Sequence, residues 1–355
     1  MNQTKRMSEV AQDDKVLKIF NRRNIFIAIT LGLGATVYLF IKSLNGQPFS
    51  SVIHDLAQPN WLWFIAAILI LLIRDAAYVY RIRNLTNGEL SWKGSLYTVF
   101  LWEFASAVTP SVVGGTAVAI FILSKEGIKF GKSLAYVMLT AILDNAYFLI
   151  AAPIILLSTR GSIFPDIPFI DIIFYISYTL ILAYTSVMAF GVLVNPNSFR
   201  VLLKRITYWS FIRKLRPNAN KTGNEILIAS NQLKGKTKRY WVKAIGSTFT
   251  IWTARYLMLN FLISTWSGTM DFHEQIAILS KQVIMWITLL VSPSPGGAGF
   301  AEYFMGEIFG NSNFVTSATF VTSLTIIWRL FTYYTYLGVG AFILPKWMKR
   351  VLIKK

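Results

Sequence analysis

Six ionisable side chains lie inside long apolar stretches of this sequence, where an unpaired charge is unfavourable. A charge in such a stretch faces a polar cavity or pairs with an opposite charge. The arginines among them suit an anionic group, because a guanidinium binds phosphate or carboxylate through two parallel hydrogen bonds. The six residues are Arg74, Glu103, Asp144, Arg255, Glu302 and Arg329.

Ion pairing within the chain competes with ligand binding for most of these residues. Arg74 has Asp75 and Glu103 as candidate partners, and it also lies close enough to the end of its stretch to reach water. The central position of Arg255 favours a ligand role instead. Arg329 either pairs with Asp144 or Glu302 or contacts a ligand. Asp144 and Asn145 either bridge an arginine or relay a proton. Glu302 either caps a helix or takes part in gating or ligand binding.

Two of the apolar stretches are interrupted at their centres by proline and glycine, which do not continue a helix. Each interruption predicts two half-helices joined by a turn, over 95–124 and 275–309. The backbone of such a turn is buried in protein or lines a wet cavity, so its residues are candidates for substrate binding. These candidates are Thr109, Pro110, Ser111, Gly114, Gly115 and Thr116 at the first break and Pro293, Ser294, Pro295, Gly296, Gly297 and Gly299 at the second.

The two breaks indicate an internal repeat. Pro110 corresponds to Pro293, and each break is preceded by a buried arginine, Arg74 or Arg255. A second charge, Asp144 or Arg329, follows it. Paired interrupted segments in two halves of a chain are typical of transporters, whose substrate site lies between the repeats.

Composition excludes a soluble globular protein. Of the 355 residues, 54% are hydrophobic and 14% are charged, and several apolar runs are long enough to cross a bilayer. The net charge of +19 comes from basic residues clustered between those runs, so it does not indicate nucleic acid. The sequence has no cysteine and no nucleophile–base, phosphate-loop or metal-ligand pattern, so we expect neither an enzyme nor a cofactor or metal. The first apolar run lacks a cleavage site and is interpreted as a retained anchor.

The positive-inside rule selects the topology. Full crossing by both broken segments would place Lys125, Lys129, Lys132 and the basic segment 195–241 outside. Re-entrant hairpins place all of them in the cytoplasm. The sequence therefore predicts an all-α polytopic membrane protein with six full spans and two re-entrant helical hairpins in an inverted repeat. Its parts are a basic cytoplasmic tail at 1–23, a first membrane repeat within 24–194, the basic cytoplasmic loop 195–241, a second repeat over 242–345 whose first span is 170–194, and a basic tail at 346–355.

The two breaks resemble those of the lysylphosphatidylglycerol synthase transmembrane family, also called flippase-like. The resemblance rests on the motifs around Thr109–Thr116, with Lys125-Glu126-Gly127 after them, and Pro293–Glu302, and it covers about 20–345. It implies movement of a lipid between leaflets. Multiple peptide resistance factors join this membrane unit to an aminoacyl-transferase domain; none follows here, so only the membrane half is implied. Thr116 stands where many members have glutamate, so an acid role at the first hairpin is not implied.

Together these observations predict a multi-pass protein of the inner (cytoplasmic) membrane with both termini in the cytoplasm. We expect it to translocate a phospholipid or lipid-linked anion, with the headgroup in a cavity walled by the hairpin tips, Arg74, Arg255 and Arg329. Two alternatives stay open: a secondary transporter of a small organic anion, and a non-transporting accessory protein of envelope lipid or glycan assembly. Candidate partners are the membrane lipid, a second copy of the chain and a separate lipid-modifying enzyme.

Overall fold

The structure is a computed structural model, and its described part is helical throughout, with no β-strand among the described residues. It describes residues 50–109, 112–159, 164, 167–208, 216–289, 294–310 and 317–352, together with isolated positions between 23 and 42.

Thirteen helices make up these ranges, two of them continued by a π-helical turn. They are α1 (Ser50–Asp55), α2 (Trp61–Leu85), α3 (Trp92–Val108), α4 (Val112–Lys125), α5 (Phe130–Ser158), α6 (Ile170–Ala189, continued by the π turn Phe190–Val194), α7 (Pro196–Ile206), α8 (Arg216–Leu233), α9 (Lys238–Ser267), α10 (Phe272–Leu289), α11 (Phe300–Phe309), α12 (Ala318–Arg329, continued by the π turn Leu330–Tyr334) and α13 (Thr335–Leu352).

Three of the described helices are long and apolar enough to cross a membrane: α2, α5 and α6 with its π turn. Each coincides with a span predicted from the sequence. The predicted span 242–266 is the 30-residue helix α9. The predicted last span, 314–344, corresponds to α12 and α13, which continue through a π turn to Leu352. The predicted first span, 24–44, falls mostly outside the described residues; its described positions are helical.

Helices α2 and α9 pack antiparallel along their length and make the most extensive helix–helix contact among the described residues. At one end the backbone N–H of Asn60 donates to the carbonyl of Thr265 at 2.7 Å. At the other end the hydroxyl of Tyr240 donates to the carbonyl of Leu85 at 3.2 Å. The small buried side chain of Ala67 allows close approach, as is usual between helices in lipid.

The first broken segment folds back on itself. Helix α3 begins beside the end of α4. A Cβ on Gly94 would lie only 2.8 Å from a carboxylate oxygen of Glu126. Near the break the two half-helices are equally close: a Cβ on Gly115 would lie 2.4 Å from the Ser106 hydroxyl. The start of α3 and the end of α4 therefore lie at the same end of the molecule, as in a hairpin.

The second broken segment has the same form. Helix α10 ends at Leu289 and α11 begins at Phe300, with Gly299 as its N-cap. The Lys281 ammonium lies 5.7 Å from the centre of the Phe309 ring, so α11 runs back along α10. Residues 290–293, which include Pro293, lie outside the described residues.

The basic segment after α6, interpreted from the sequence as a cytoplasmic loop, contains two helices. Helices α7 and α8 pack on each other, and α8 also packs on α5. Ile226, Ala229 and Leu233 of α8 are buried in a cluster with side chains of α5. This segment is therefore part of the folded body at the end of the molecule that also holds Glu89 and Lys132.

Candidate functional site

The tips of both hairpins line one cavity of about 280 Å³ in the middle of the helix bundle. The first hairpin contributes Glu103, Ser106 and Thr109, and the second contributes Ser294, Gly296 and Gly297. Helix α9 and the segment around the second π turn complete the wall. Their lining residues are Arg255, Tyr256, Trp328, Arg329, Thr332, Tyr333 and Tyr336.

The two tips touch each other through Gly296. Its φ of +56° lies in the left-handed region that glycine favours. A Cβ here would stand 2.3 Å from the ring of Tyr333 and 3.4 Å from the Cα of Ala107. Tyr333 in turn donates its hydroxyl to the carbonyl of Ala107 at 3.3 Å. Gly296 therefore allows the second tip to seat against the end of the first.

A buried ion pair holds the second tip. The carboxylate of Glu302 accepts the N–H of Gly299 at 2.7 Å, which caps α11, and its other oxygen lies 2.7 Å from Nε of Arg329. Of the predicted partners of Arg329, the structure thus selects Glu302. One guanidinium nitrogen also donates to the carbonyl of Gly296 at 3.3 Å, and the guanidinium stacks 4.1 Å from the Tyr333 ring centre. The π turn directly after Arg329 brings Tyr333 into that position, as π turns at functional sites often do.

Donor groups without partners face the cavity from two sides. Nη2 of Arg329 and the hydroxyl of Tyr256 are buried and have no hydrogen-bond partner among the described residues. Arg255, one residue before Tyr256, is half-buried and lies 5.4 Å from the Trp252 ring centre. Among the ion pairs of the described residues, none includes Arg255. The cavity wall therefore offers two guanidinium groups and a phenol to an acceptor-rich ligand.

Behind the opposite wall lies an ionic cluster around Arg74. Its guanidinium pairs with Glu103, donates to Asp75 at 2.9 Å and to the hydroxyl of Tyr336 at 2.5 Å. Tyr336 in turn donates to the Asp75 carboxylate at 2.8 Å. Arg74 is 2% exposed and does not line the cavity, contrary to the predicted wall of three arginines. Of the four residues in this cluster, Glu103 and Tyr336 line the cavity, whereas Arg74 and Asp75 do not.

Asp144 belongs to a different cluster. It pairs with Arg81 through both carboxylate oxygens and accepts the indole N–H of Trp252 at 2.8 Å. Arg81 also donates to the hydroxyl of Thr248 at 3.0 Å. The arginine bridge considered for Asp144 is therefore present, but its partner is Arg81, and neither Asp144 nor Asn145 lines the cavity. Sequence analysis did not single out Arg81; its position seven residues after Arg74, on the same face of α2, was the available signal.

The other predicted site residues occupy the breaks or lie outside the description. Gly114 lies in the first turn of α4, Gly115 packs on Ser106, and Thr116 is half-buried in α4. Pro295 is buried in the second tip, whereas Pro110, Ser111 and Pro293 fall outside the described residues. Within the described ranges there is no group of three or more side chains that could hold a metal.

Sequence reasoning did not identify the side-chain amides of α9 and α10 that form a network beside the cavity. Gln282 of α10 lines it and donates to the carbonyl of Tyr256 at 3.1 Å and to the amide oxygen of Asn260 at 3.0 Å. Asn260 donates in turn to the side chain of Gln275 at 2.6 Å. Buried amides inside apolar helices were the available signal, since such groups find partners across helices.

The fold and the site define a helical membrane protein with a buried polar cavity between two broken helices. The chain belongs to the family described as the lysylphosphatidylglycerol synthase TM region, which it matches over residues 25–340. It is also similar to a UPF0104 membrane protein of Archaeoglobus fulgidus, with 28% identity over 327 residues. That similarity covers 89% of this chain and 94% of the relative.

Proposed function

We propose that this protein moves a phospholipid or lipid-linked anion between leaflets and does not modify it chemically. The headgroup would occupy the central cavity, with its phosphate held by Arg255, Tyr256 and Arg329. The observation that carries the proposal is the unpartnered Nη2 of Arg329 and hydroxyl of Tyr256, both buried at a cavity that Arg255 also lines. Buried donors without partners are unfavourable, and an anionic headgroup satisfies them.

The proposed topology is six full spans with two re-entrant hairpins, related as an inverted repeat: the first repeat lies within 24–194 and the second is 242–345, whose first span is 170–194. The antiparallel packing of α2 on α9 supports this relation, because corresponding spans of an inverted repeat run in opposite directions. The contact between Gly94 and Glu126 supports a first hairpin that returns to its own side. The end that carries Lys129, Lys234 and the tail at 346–355 would face the cytoplasm of the inner membrane.

Labelling of single cysteines tests this orientation, and the chain has no native cysteine to interfere. Cysteines at the exposed positions Lys129 and Lys234 should be protected from an impermeant reagent in intact cells. A cysteine at Asp271, at the opposite end, should react. Reaction at Lys129 and Lys234 with protection at Asp271 would contradict the proposed topology, because it is the pattern expected if both broken segments cross the membrane fully.

Arg255 gives the most direct test of the headgroup site. Arg255→Gln should weaken binding of a phosphate headgroup about 10- to 100-fold, since a hydrogen bond to a charged group contributes about 1.5–3 kcal/mol. The affinity of Arg255→Lys should lie between those of the unchanged protein and Arg255→Gln, because an ammonium keeps the charge but does not form two parallel hydrogen bonds to a phosphate. Lipid retention by native mass spectrometry measures the binding.

Thermal unfolding provides the control for these variants. Arg255→Gln should leave the melting temperature unchanged, because none of the described ion pairs depends on Arg255. Arg329→Gln should lower it, because it leaves the buried Glu302 without its cation. Unchanged lipid retention in a stable Arg255→Gln protein would remove Arg255 from the site.

Transport of a small organic anion is the second candidate, and the size of the cavity favours it. At about 280 Å³ the cavity is at the lower end of the range for small-molecule sites and holds a headgroup but not acyl chains. Proteoliposomes separate the two functions: lipid translocation is followed with a fluorescent phospholipid and solute uptake with a labelled organophosphate. Lipid movement without uptake supports the first function, and uptake without lipid movement the second. If the protein shows neither lipid movement nor solute uptake, the accessory role is the one that remains.

A further inference from the structure

A second concave site lies on the lipid-facing surface at the basic end of the molecule. It is a groove of about 510 Å³ between α2, α3 and α13. Its walls are mainly apolar and include Val79, Leu96, Phe342 and Ile343. Leu96 and Phe342 are 41% and 67% exposed, so these walls face the surrounding lipid and not the core.

Two lysines are the charged residues that line this groove, Lys93 of α3 and Lys346 of α13. Both are exposed, and neither takes part in an ion pair among the described residues. The acidic side chains at the same end are already engaged: Glu89 pairs with Lys132 and Glu126 with Arg350. Among the described residues, the positive charge at the groove is therefore not paired with an acidic side chain.

Trp92 marks the level of the headgroups. It lines the groove beside Lys93 and carries the guanidinium of Arg83 4.8 Å from its ring centre. Tryptophan is enriched at the membrane interface, where its ring lies between hydrocarbon and water. The ammonium of Lys346 lies 3.8 Å from the ring centre of Phe342, over the apolar wall. Headgroup-level cations above an apolar groove match the shape of an anionic phospholipid.

We propose that this groove binds one anionic phospholipid, with an acyl chain along the apolar walls and the phosphate between Lys93 and Lys346. The proposal is independent of the translocation function and uses the proposed orientation only to place the lipid in the cytoplasmic leaflet. The groove is lined by α3 and α13, whose contact is tight: a Cβ on Gly340 would lie 2.3 Å from Phe104. A bound lipid would support this contact, in which Phe104 directly follows Glu103 of the central cavity.

The test is lipid retention by the purified full-length protein after exchange into equimolar phosphatidylglycerol and phosphatidylcholine, read by native mass spectrometry. Lys93→Gln with Lys346→Gln should lower the ratio of bound phosphatidylglycerol to phosphatidylcholine about tenfold, because two headgroup charges are lost. The matched control is Lys129→Gln with Lys349→Gln, which removes the same charge from exposed positions outside the groove. The control should leave the ratio unchanged.

A second variant tests the apolar part of the groove. Leu96→Trp fills it without changing the charge and should lower retention of phosphatidylglycerol while leaving the melting temperature intact. All variants are repeated with Arg255→Gln, which separates the groove from the central cavity. Equal losses in the groove and control double variants, or full retention in Leu96→Trp, would overturn the proposal and leave only general attraction of anionic lipid to a basic surface.

Discussion

Gly296→Ala should abolish transport and destabilise the protein by about 2–5 kcal/mol. A residue with a Cβ is strained at its φ of +56°, which accounts for about 1–2 kcal/mol. The new Cβ would also stand 2.3 Å from the Tyr333 ring, and overpacking of this kind adds about 1–3 kcal/mol. Displacement of Tyr333 removes the ring on which Arg329 stacks. Binding should therefore be lost even in the fraction that folds.

The adjacent glycine provides a matched control. Gly297 also has a positive φ, +70°, but a Cβ there would meet only the Ala301 methyl group at 3.8 Å. Gly297→Ala should therefore show the backbone strain without the steric clash. Gly306→Ala, in a helical position with open space, should be neutral or slightly stabilising. Thermal unfolding and lipid-flipping assays compare the stability and activity of the three variants. Equal effects at Gly296 and Gly297 would show that the contact of Gly296 with Tyr333 and Ala107 is unimportant.

Loss of Arg81 should destabilise the fold by about 3–5 kcal/mol without changing headgroup binding. Arg81→Gln leaves Asp144 buried without its cation, and removing one member of a buried pair has a cost of this size. Asp144→Asn in the same chain should recover much of the loss, since no uncompensated charge remains. The double-mutant cycle, measured by thermal unfolding, gives the coupling energy.

An exposed ion pair at the same end of the molecule is the comparison for this cycle. Lys132 and Glu89 have side chains that are 30% and 41% exposed, so Lys132→Gln should cost less than about 1 kcal/mol. Additive effects of Arg81→Gln and Asp144→Asn would contradict the assignment of this pair as a structural unit. Altered headgroup binding in a stable double variant would place the pair in the substrate site after all.

The sequence predicts the helix breaks well because their causes are local. The break falls where the sequence clusters proline and glycine, whereas the single prolines Pro153 and Pro345 lie inside α5 and α13. The observed half-helices of the first hairpin, Trp92–Val108 and Val112–Lys125, lie within three residues of the predicted limits. Helix α8 was missed because its buried residues, Ile226 and Leu233 among them, are spaced within a strongly basic segment. The apolar residues of α8 are recognised as a buried face only when the structure shows them packed on α5.

The membership of the charged clusters required the structure. The sequence indicated that buried arginines would find acids, but several pairings were equally compatible with it. Arg329 takes Glu302 because the hairpin brings α11 beside α12, and Arg81 takes Asp144 because α5 packs near the same face of α2. Arg255 lacks an acid among the described pairs for the same reason: the structure assigns Asp144 and Glu302 elsewhere. Such assignments depend on helix packing, which composition and spacing do not specify.

The charges on α2 have a consequence for biosynthesis. Arg74 and Arg81 are made first, whereas Glu103 and Asp144 follow 29 and 63 residues later and Thr248 follows 167 residues after Arg81. At roughly 5–20 residues per second, α2 waits seconds for its acids and roughly 10–30 s for α9. Arg74 has Asp75 beside it on α2, but Arg81 has no acidic partner until Asp144 is made, and an unpaired guanidinium is unfavourable in lipid. We therefore expect α2 to stay beside the insertion machinery until α5 has been made, so that the order of membrane integration differs from the order of synthesis.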